Sequence, residues 1–479
     1  MGTVSYMIPL QVASLSCWRL LVVAIFVAAM LWKASQAQEH ENPVVLSEAS
    51  GFHRAISDEE MAKFYKQNQN ADWLPWSHRK YGIRKLYQLL DTLIKGRPPK
   101  YLSLVVIKKN RIVFLPLAAR PMGLAISRMR AIVQGLRNST RRGLVFPDTV
   151  YLMNVWDEGR CYRDDDPRLG KFPPCTVPVF SLIKSWNYSS GTSSETDVLL
   201  PFFNHVYENL VFYPWEKKIN KALMRAAMQA QMRPNCTRLW IIELMKNDPE
   251  GRRLLDAGIT NNLSRRKDLQ LVDFMPIPDH ARYKYLLSAD GFTASCRLGK
   301  LLGTNSVVLK ETTPWIEYYY RMSTLIFMIK GIMLLGDFVF TQTQTQTQIQ
   351  TQTCAHCLRI PPGDCCRTRS LEPNVHFVPF TKDSVLEVVK ALEVDPQRCQ
   401  RIAAEAQQFT YTFLSQHAKA MYVKRALVYY NSLLPDMEAF VQHLVWPQSG
   451  GDSGADEEGG GLTLIGVMET MKKFIGVRR

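Results

Sequence analysis

The stretch 282–298 holds the residues whose types and spacing most clearly suggest chemistry. An apolar run, Tyr283–Leu287, is followed by the pair Asp290-Gly291, by small residues at 293–295 and by Arg297. This order predicts a strand, a tight turn and the start of a helix. Free N–H groups at a helix start, with an arginine beside them, can bind an anion such as a phosphate. The same pattern also fits an ordinary strand–turn–helix with a solvated arginine.

The elements that must position these residues alternate between strands and helices from Tyr101 onward. The apolar runs predict strands at 102–107, 112–115, 150–155, 283–287 and 307–309, and helical spacing predicts a helix over 122–136. A second α/β unit is predicted to start near Trp215. This alternation predicts an α/β protein with doubly wound sheets, in which ligands gather at the carboxyl ends of the strands.

The 283–297 block resembles the donor site of the capsule-associated, Rumi-like protein O-glucosyltransferases, glycosyltransferase family 90. That family has a Tyr-Lys-Tyr-Leu strand, a Gly, an Ala-Ser pair and an Arg in this order, then an apolar run and an acidic-aromatic stretch. The last two correspond here to 306–309 and 315–320. The resemblance extends, with gaps, from about Val145 to about Leu434. It implies two Rossmann-like domains facing across a cleft, the GT-B arrangement, with a C-terminal bridging helix.

The resemblance also implies a catalytic base. Sugar transfer to a hydroxyl needs a group that takes the acceptor proton and a group that stabilises the departing diphosphate. The family pattern Asn-Val-X-Asp matches residues 154–157, and its final carboxylate is the base, which points to Asp157. A lone Asp after a strand is otherwise typical of a turn or a helix cap.

For the donor, the resemblance assigns binding to six residues. They are Arg225, Thr293, Ala294, Ser295, Arg297 and Glu317. The match at Arg225 is incomplete, because the family continues with Gly-Ser where this chain has Ala226-Ala227. That change leaves donor affinity and donor identity open. The family requires no metal or other cofactor besides the UDP-sugar, and the acidic triplet 164–166 is interpreted as a solvated loop.

These inferences predict an enzyme that moves glucose or xylose from a UDP-sugar to a hydroxyl of a protein or glycan. Two alternatives stay open. One is a xylosyltransferase that builds wall or capsule polysaccharide, and the other is a catalytically inactive sugar-binding relative. The chain carries a net charge of +16, but its basic residues are scattered and match no nucleic-acid-binding motif, so no nucleic-acid partner is expected.

The N-terminus predicts entry into the secretory pathway. An apolar run over 20–32 follows Arg19 and precedes small residues up to Ala37, which fits a signal peptide or a single-pass signal anchor. The endoplasmic reticulum or Golgi lumen is therefore the expected location, with the membrane contacted only through this segment. Four sequons agree with a luminal location: Asn138, Asn187, Asn235 and Asn262. Cys161 and Cys175 bracket a charged loop and are the best candidates for a disulfide.

The domain boundaries follow from these patterns. We predict a signal segment over 1–37, a stem and helical lead-in over 38–97, and an acceptor-side Rossmann-like domain over 98–214. A donor-binding domain over 215–434 follows, and 435–479 forms a Gly-rich and acidic tail, partly disordered. The repeat-rich stretch 323–372 is predicted to be a disordered insertion. Its cysteines, at 354, 357, 365 and 366, are spaced too irregularly to predict a zinc site.

Overall fold

The computed structural model describes residues 42–46, 56–163, 173–203, 209–232, 236–264, 266–321, 370–446 and 461–476. Several predicted features lie outside these residues. They are the signal segment 1–37, the acidic triplet 164–166, the sequon at Asn235, almost all of the 323–372 insertion and the Gly-rich part of the tail. No helix in the described ranges is long and apolar enough to cross a membrane.

The N-terminal half of the chain contributes eight strands and three helices. In chain order they are β1 (Val44–Leu46), α1 (Asp58–Trp73), α2 (Ile83–Lys95), β2 (Leu102–Lys108), β3 (Arg111–Pro116), α3 (Gly123–Arg141), β4 (Thr149–Asn154), β5 (Phe180–Ser181), β6 (Lys184–Ser185), β7 (Val198–Leu199) and β8 (Leu210–Phe212). The C-terminal half follows with β9 (Ile219–Met228), α4 (Thr237–Asn247), α5 (Pro249–Leu254), β10 (Leu255–Asn262), α6 (Ile277–His280), β11 (Tyr283–Ser288), α7 (Leu298–Leu302), β12 (Val307–Glu311), β13 (Trp315–Ile316), β14 (Val378–Phe380), α8 (Val385–Glu393), α9 (Pro396–Phe413), α10 (Gln416–Leu433), α11 (Met437–His443) and α12 (Leu464–Phe474).

The first sheet has the strand order β3-β2-β4-β5-β7 and is mixed. β2 and β3, both predicted as strands, form a hairpin in which Lys109 and Asn110 both take positive φ. A two-residue turn can join only antiparallel neighbours, and β2 also pairs antiparallel with β4. Only β4, β5 and β7 run parallel. The expected Rossmann-like, parallel sheet is therefore replaced here by a sheet with an antiparallel edge.

The second sheet has the order β10-β9-β11-β12-β14, and all of its strands are parallel. The central strands β11 and β12 are almost entirely buried, which explains their largely apolar sequences. One face packs against α4 and α8, and the other against α7 and α9. The chain as a whole is a mixed α/β protein that contains a parallel sheet of the doubly wound kind.

The two halves are connected at several points. β13 of the C-terminal half pairs with β6 of the N-terminal half, and the backbone N–H of Trp186 donates to Pro314. The sequence pattern predicts one long terminal helix from about 395 to 432. The structure has two helices there, because Ser415 caps α10 by accepting from the N–H of Ala418. The second of these, α10, places side chains in the cores of both halves and returns the chain to the first sheet.

The packed structure extends beyond the predicted domain limits. The helices α1 and α2, within the segment assigned to a stem and lead-in, contribute to the cores. Ser370 and Leu371, assigned to the end of the insertion, are buried. In the predicted tail, α11 and α12 pack on the first sheet and on α2, with Met437 and Met471 fully buried. Cys161 and Cys175, the expected pair, are joined by a disulfide with Cα atoms 5.6 Å apart.

The sequons differ in how their amide groups are engaged, and this predicts which one carries a glycan. Asn187 is exposed, and its Oδ1 accepts from the N–H groups of Ser189 and Ser190. The Nδ2 of Asn262, the atom that a glycan would occupy, donates instead to the carbonyl of Arg266 at 2.6 Å. In protein secreted from cells, we expect glycosylation at Asn187 and not at Asn262, measured by peptide mass spectrometry after deglycosylation in ¹⁸O water. Occupancy at Asn262 above that at Asn187 would contradict this.

Candidate active site

The end of β4 presents the predicted base. Asp157 lies three residues beyond the strand, with 13% of its side chain exposed, and its Oδ1 forms an ion pair with Nη2 of Arg128 at 2.8 Å. Arg128 lies on the buried face of α3 and also donates to the carbonyl of Val155 at 2.6 Å. Because the Arg128 guanidinium binds both this backbone carbonyl and the carboxylate, it fixes the orientation of the Asp157 side chain. Sequence reasoning missed Arg128, whose only signal is a charge on the apolar face of a predicted helix.

The turn between β4 and Asp157 is held by Asn154. Its side-chain amide donates to the carbonyl of Glu158 at 2.8 Å and to Oγ of Ser181 at 2.9 Å, and its Oδ1 accepts from the N–H of Trp156 at 3.0 Å. Asn154 is fully buried, and a buried side-chain amide needs hydrogen-bond partners of this kind. The Asn-Val-X-Asp pattern therefore has a structural reason here: its first residue shapes the turn that carries its last.

The loop after β11 is held in the same way by Asp290. Its Oδ1 accepts from the N–H of Ser295 at 2.8 Å, its Oδ2 accepts from Oγ1 of Thr313, and its own N–H donates to Glu311 at 2.7 Å. A Cβ added at Gly291 would clash with Oε1 of Gln229, so a larger residue here would displace the Gln229 side chain. The pattern predicted the turn, but not the partners that hold it.

Within that loop, Thr293, Ala294 and Ser295 are all less than a tenth exposed. Ala294 packs into the core of the N-terminal half, so the loop touches both halves. The helix that follows, α7, has five residues and begins after Arg297. A helix this short has only a weak dipole. The positive charge at its start therefore comes mainly from the side chain of Arg297.

Arg297 is a half-buried cation without a counter-ion. In the described part of the chain it forms no ion pair, and its Nε has no hydrogen-bond partner. Burial, and then the charge of Arg238, lower the pKa of Arg297 to about 9. Arg238 is itself engaged, since it donates to the carbonyls of Ala289 and Ala227 and so ties the ends of β11 and β9 together. An unpaired, partly buried guanidinium beside a second one favours an anionic ligand.

Arg225 has a different environment from Arg297. It lies on β9, and its Nη1 forms an ion pair with Oδ1 of Asp256 at 2.8 Å. The hydroxyl of Tyr283 donates to the other oxygen of the same carboxylate at 2.5 Å. The charge of Arg225 therefore already has a counter-ion in the protein. A phosphate that binds Arg225 would have to compete with Asp256.

Glu317 lies at a small cavity between the two halves. The cavity is lined by Phe202, Cys296, Gly299, Glu317, Tyr318, Tyr319, Leu414 and Lys419. Burial raises the pKa of Glu317 to about 7, while the charge of Lys419 works in the opposite direction. Burial, and then the charges of Glu317 and Asp157, raise the pKa of the Cys296 thiol. Cys296 thus lies within electrostatic reach of both the predicted base and Glu317, so the structure brings these two candidates to one region.

The raised pKa of Glu317 predicts a pH-dependent stability. The unfolded carboxyl ionises near pH 4.3, so between about pH 4.5 and pH 7 the native state keeps a proton that the unfolded state has lost. Native stability should fall over this range as pH rises. We expect the free energy of unfolding of wild type, relative to Glu317→Gln, to drop by about 3 kcal/mol from pH 4.5 to 7.5 in urea titrations. A difference that stays constant with pH would show that native Glu317 is ionised throughout.

Comparisons with known proteins point to one family. The model of the family described as "Glycosyl transferase family 90" matches residues 184–325. A Homo sapiens protein named protein O-glucosyltransferase 3 is 23% identical over 313 residues, which are 61% of this chain and 48% of that protein. A Danio rerio protein O-glucosyltransferase 2 is 25% identical over 328 residues, 64% of this chain and 51% of its own. A Rattus norvegicus protein O-glucosyltransferase 1 is 22% identical over 319 residues, 60% and 63% respectively.

This chain spans about half the length of the human and zebrafish relatives. The matched family segment contains β11, the loop of Asp290, Arg297 and Glu317, and it begins after Asp157. The resemblance to glycosyltransferase family 90 that the sequence predicted is thereby confirmed, for the part of the chain that carries the block ending at Arg297.

Proposed function

We propose that this chain is a glycosyltransferase that moves glucose or xylose from a UDP-sugar to a hydroxyl of a protein or glycan. The observation that carries the proposal is the presence of two opposite charges, one in each half. A carboxylate, Asp157, is held in place at the end of β4, and Arg297, which has no counter-ion among the residues that the structure describes, follows β11. The relatives named protein O-glucosyltransferase support the same class of reaction.

In the proposed reaction, Asp157 accepts the proton of the acceptor hydroxyl as its oxygen bonds to the anomeric carbon of the sugar. The bond from that carbon to the diphosphate breaks, and UDP leaves with the electron pair. Arg297 stabilises the charge that develops on the diphosphate, and Glu317 hydrogen-bonds the ribose. Arg225 reaches the donor only if it exchanges Asp256 for a phosphate. The UDP-sugar is the only cosubstrate, and no metal is required.

The arrangement we propose is of the GT-B type, with both halves facing the cleft at Cys296. The first sheet keeps three parallel strands, β4, β5 and β7, whose carboxyl ends lie near Asp157. The second sheet supplies the donor side. We place the reaction in the lumen of the endoplasmic reticulum or Golgi, which the N-terminal segment and the Cys161–Cys175 disulfide support.

One observation favours the inactive relative as the second candidate. Ala226 and Ala227 stand where the family has Gly-Ser, and they lie on β9 directly after the partnered Arg225. A screen of the full chain with UDP-glucose and UDP-xylose decides between the candidates by measuring release of UDP. Turnover with either donor supports the enzyme and identifies the sugar. Saturable UDP binding without turnover of any UDP-sugar would establish the inactive relative.

A further inference from the structure

A buried carboxylate on α1 binds two cations. Asp72 has no exposed surface; its Oδ1 lies 2.6 Å from Nζ of Lys184, and its Oδ2 lies 2.8 Å from Nη2 of Arg321. The N–H of Leu199 donates to the same Oδ2 at 3.0 Å. Both cationic side chains are less than a tenth exposed. Since charges this deeply buried need close partners, the three groups depend on one another.

The second half of the Arg321 guanidinium faces the donor side. Its Nη1 donates to the carbonyl of Glu317 at 2.7 Å and to that of Tyr320 at 3.2 Å. The planar group also lies over the ring of Trp186, 5.5 Å from its centre. One side chain therefore connects the backbone of Glu317 to a carboxylate on α1, and only a planar fork with several N–H groups can make both connections.

The segment that carries Glu317 has little other regular structure to hold it. It follows β13, a strand of two residues paired with β6, and its residues from 317 to 320 belong to no helix or strand. The hydrogen bonds from Arg321 act together with the burial of Tyr318, Tyr319 and Tyr320 to limit how far the Glu317 backbone can move. A displacement of about 1 Å in a binding group can cost about a hundredfold in function.

We propose that Arg321 is a positioning residue that holds Glu317 at the donor side of the cleft, through Asp72. The proposal rests on the proposed function in one respect, since it takes Glu317 to contact the UDP ribose. Arg321 itself does not touch the donor. Its effect must therefore disappear when Glu317 no longer contributes to binding.

The experiment is calorimetric titration of UDP into the full chain. The variants are Arg321→Lys, Arg321→Gln, Glu317→Gln and the double variant of the last two. Arg321→Lys keeps a charge for Asp72 but loses the fork, so it should fold and bind UDP about tenfold more weakly. Arg321→Gln should bind at least as weakly, and the double variant no more weakly than Glu317→Gln alone. Arg137→Gln is the matched control, because Arg137 donates to the carbonyl of Ile112 far from the cleft. The affinity of this variant for UDP should equal that of wild type.

Two results would overturn the proposal. One is a folded Arg321→Lys protein with wild-type affinity for UDP. The other is a double variant whose loss equals the sum of the two single losses, because then Arg321 would act independently of Glu317. Hydrogen exchange of the amides 318–320 tests the same connection without a ligand: protection should fall in both Arg321 variants, and unchanged protection would also overturn it. Wild type that binds no UDP would count against the proposed function, and the exchange result would still decide on Arg321.

Discussion

Asp157→Asn is expected to lower the rate of sugar transfer by about three powers of ten, the middle of the range that a general base contributes. The amide keeps an oxygen that can accept from Arg128, so the turn after β4 should hold its shape. It cannot take the acceptor proton. Initial rates of UDP release with the donor that the screen identifies measure the effect. UDP affinity should be nearly unchanged, because the proposed role of Asp157 is toward the acceptor.

Two comparisons separate catalysis from structure at this position. Arg128→Lys keeps the positive charge but lacks the planar fork that binds Asp157 and the Val155 carbonyl together. It leaves the Asp157 carboxylate in place, so it should lower kcat by less than Asp157→Asn does. The melting temperature of Asp157→Asn should stay close to wild type. A folded Asp157→Asn protein with the wild-type rate would assign the base to another group, and Glu317, with its raised pKa, would be the next to test.

The strands and the cation of the donor block could be predicted because their signals are local. The apolar run from Tyr283 predicts β11 within one residue of its end, and the Asp-Gly pair predicts the turn that follows. The Gln229 side chain lies close to Gly291, a contact that the sequence shows only as a glycine. The spacing made Arg297 a candidate, and the family resemblance assigned it to the donor.

The supporting residues could not be predicted because their roles depend on partners that are remote in the chain. In the sequence, Asp72 is one acidic residue of an ordinary helix. Only the fold places Lys184 and Arg321 next to it. Arg128 and Arg238 likewise occur as charges in amphipathic helices, and only the packed structure shows which carbonyls they bind. The mixed first sheet was missed for a different reason, since apolar runs predict strands but not their direction.

The C-terminal helices also differ from the prediction. Continuous helical spacing over 395–432 predicts one helix, yet the N-cap at Ser415 starts a new one, and the resulting bend lets α10 reach both cores. Helices α11 and α12 flank a Gly-rich stretch whose composition dominated the prediction for the whole tail. Their buried methionines show that composition averaged over a segment can hide short packed elements.

Arg297→Ala is expected to lower the rate of transfer by two to three powers of ten, which is about the effect of losing one preorganised electrostatic donor. Its charge matters most as the bond to the diphosphate breaks, so kcat should fall more than UDP affinity does. Arg297→Lys should recover little, because a point charge cannot replace a planar fork on phosphate oxygens. Arg253→Ala is the matched control, since Arg253 is an exposed arginine on α5 paired with Glu250 and Glu393, and its rate should equal wild type.

Thermal stability decides whether Arg297 binds the donor or supports the fold. The partly buried charge of Arg297 has no counter-ion in the described ranges of the chain, so removing it should not lower the melting temperature of the protein without UDP. Arg225→Ala, in contrast, leaves Asp256 without its ion-pair partner and should lower it. If Arg297 contacts the diphosphate, UDP should raise the melting temperature of wild type more than that of Arg297→Ala. Equal shifts in the two proteins would remove Arg297 from the donor site, because a residue that contacts UDP must contribute to the free energy with which UDP stabilises the native state.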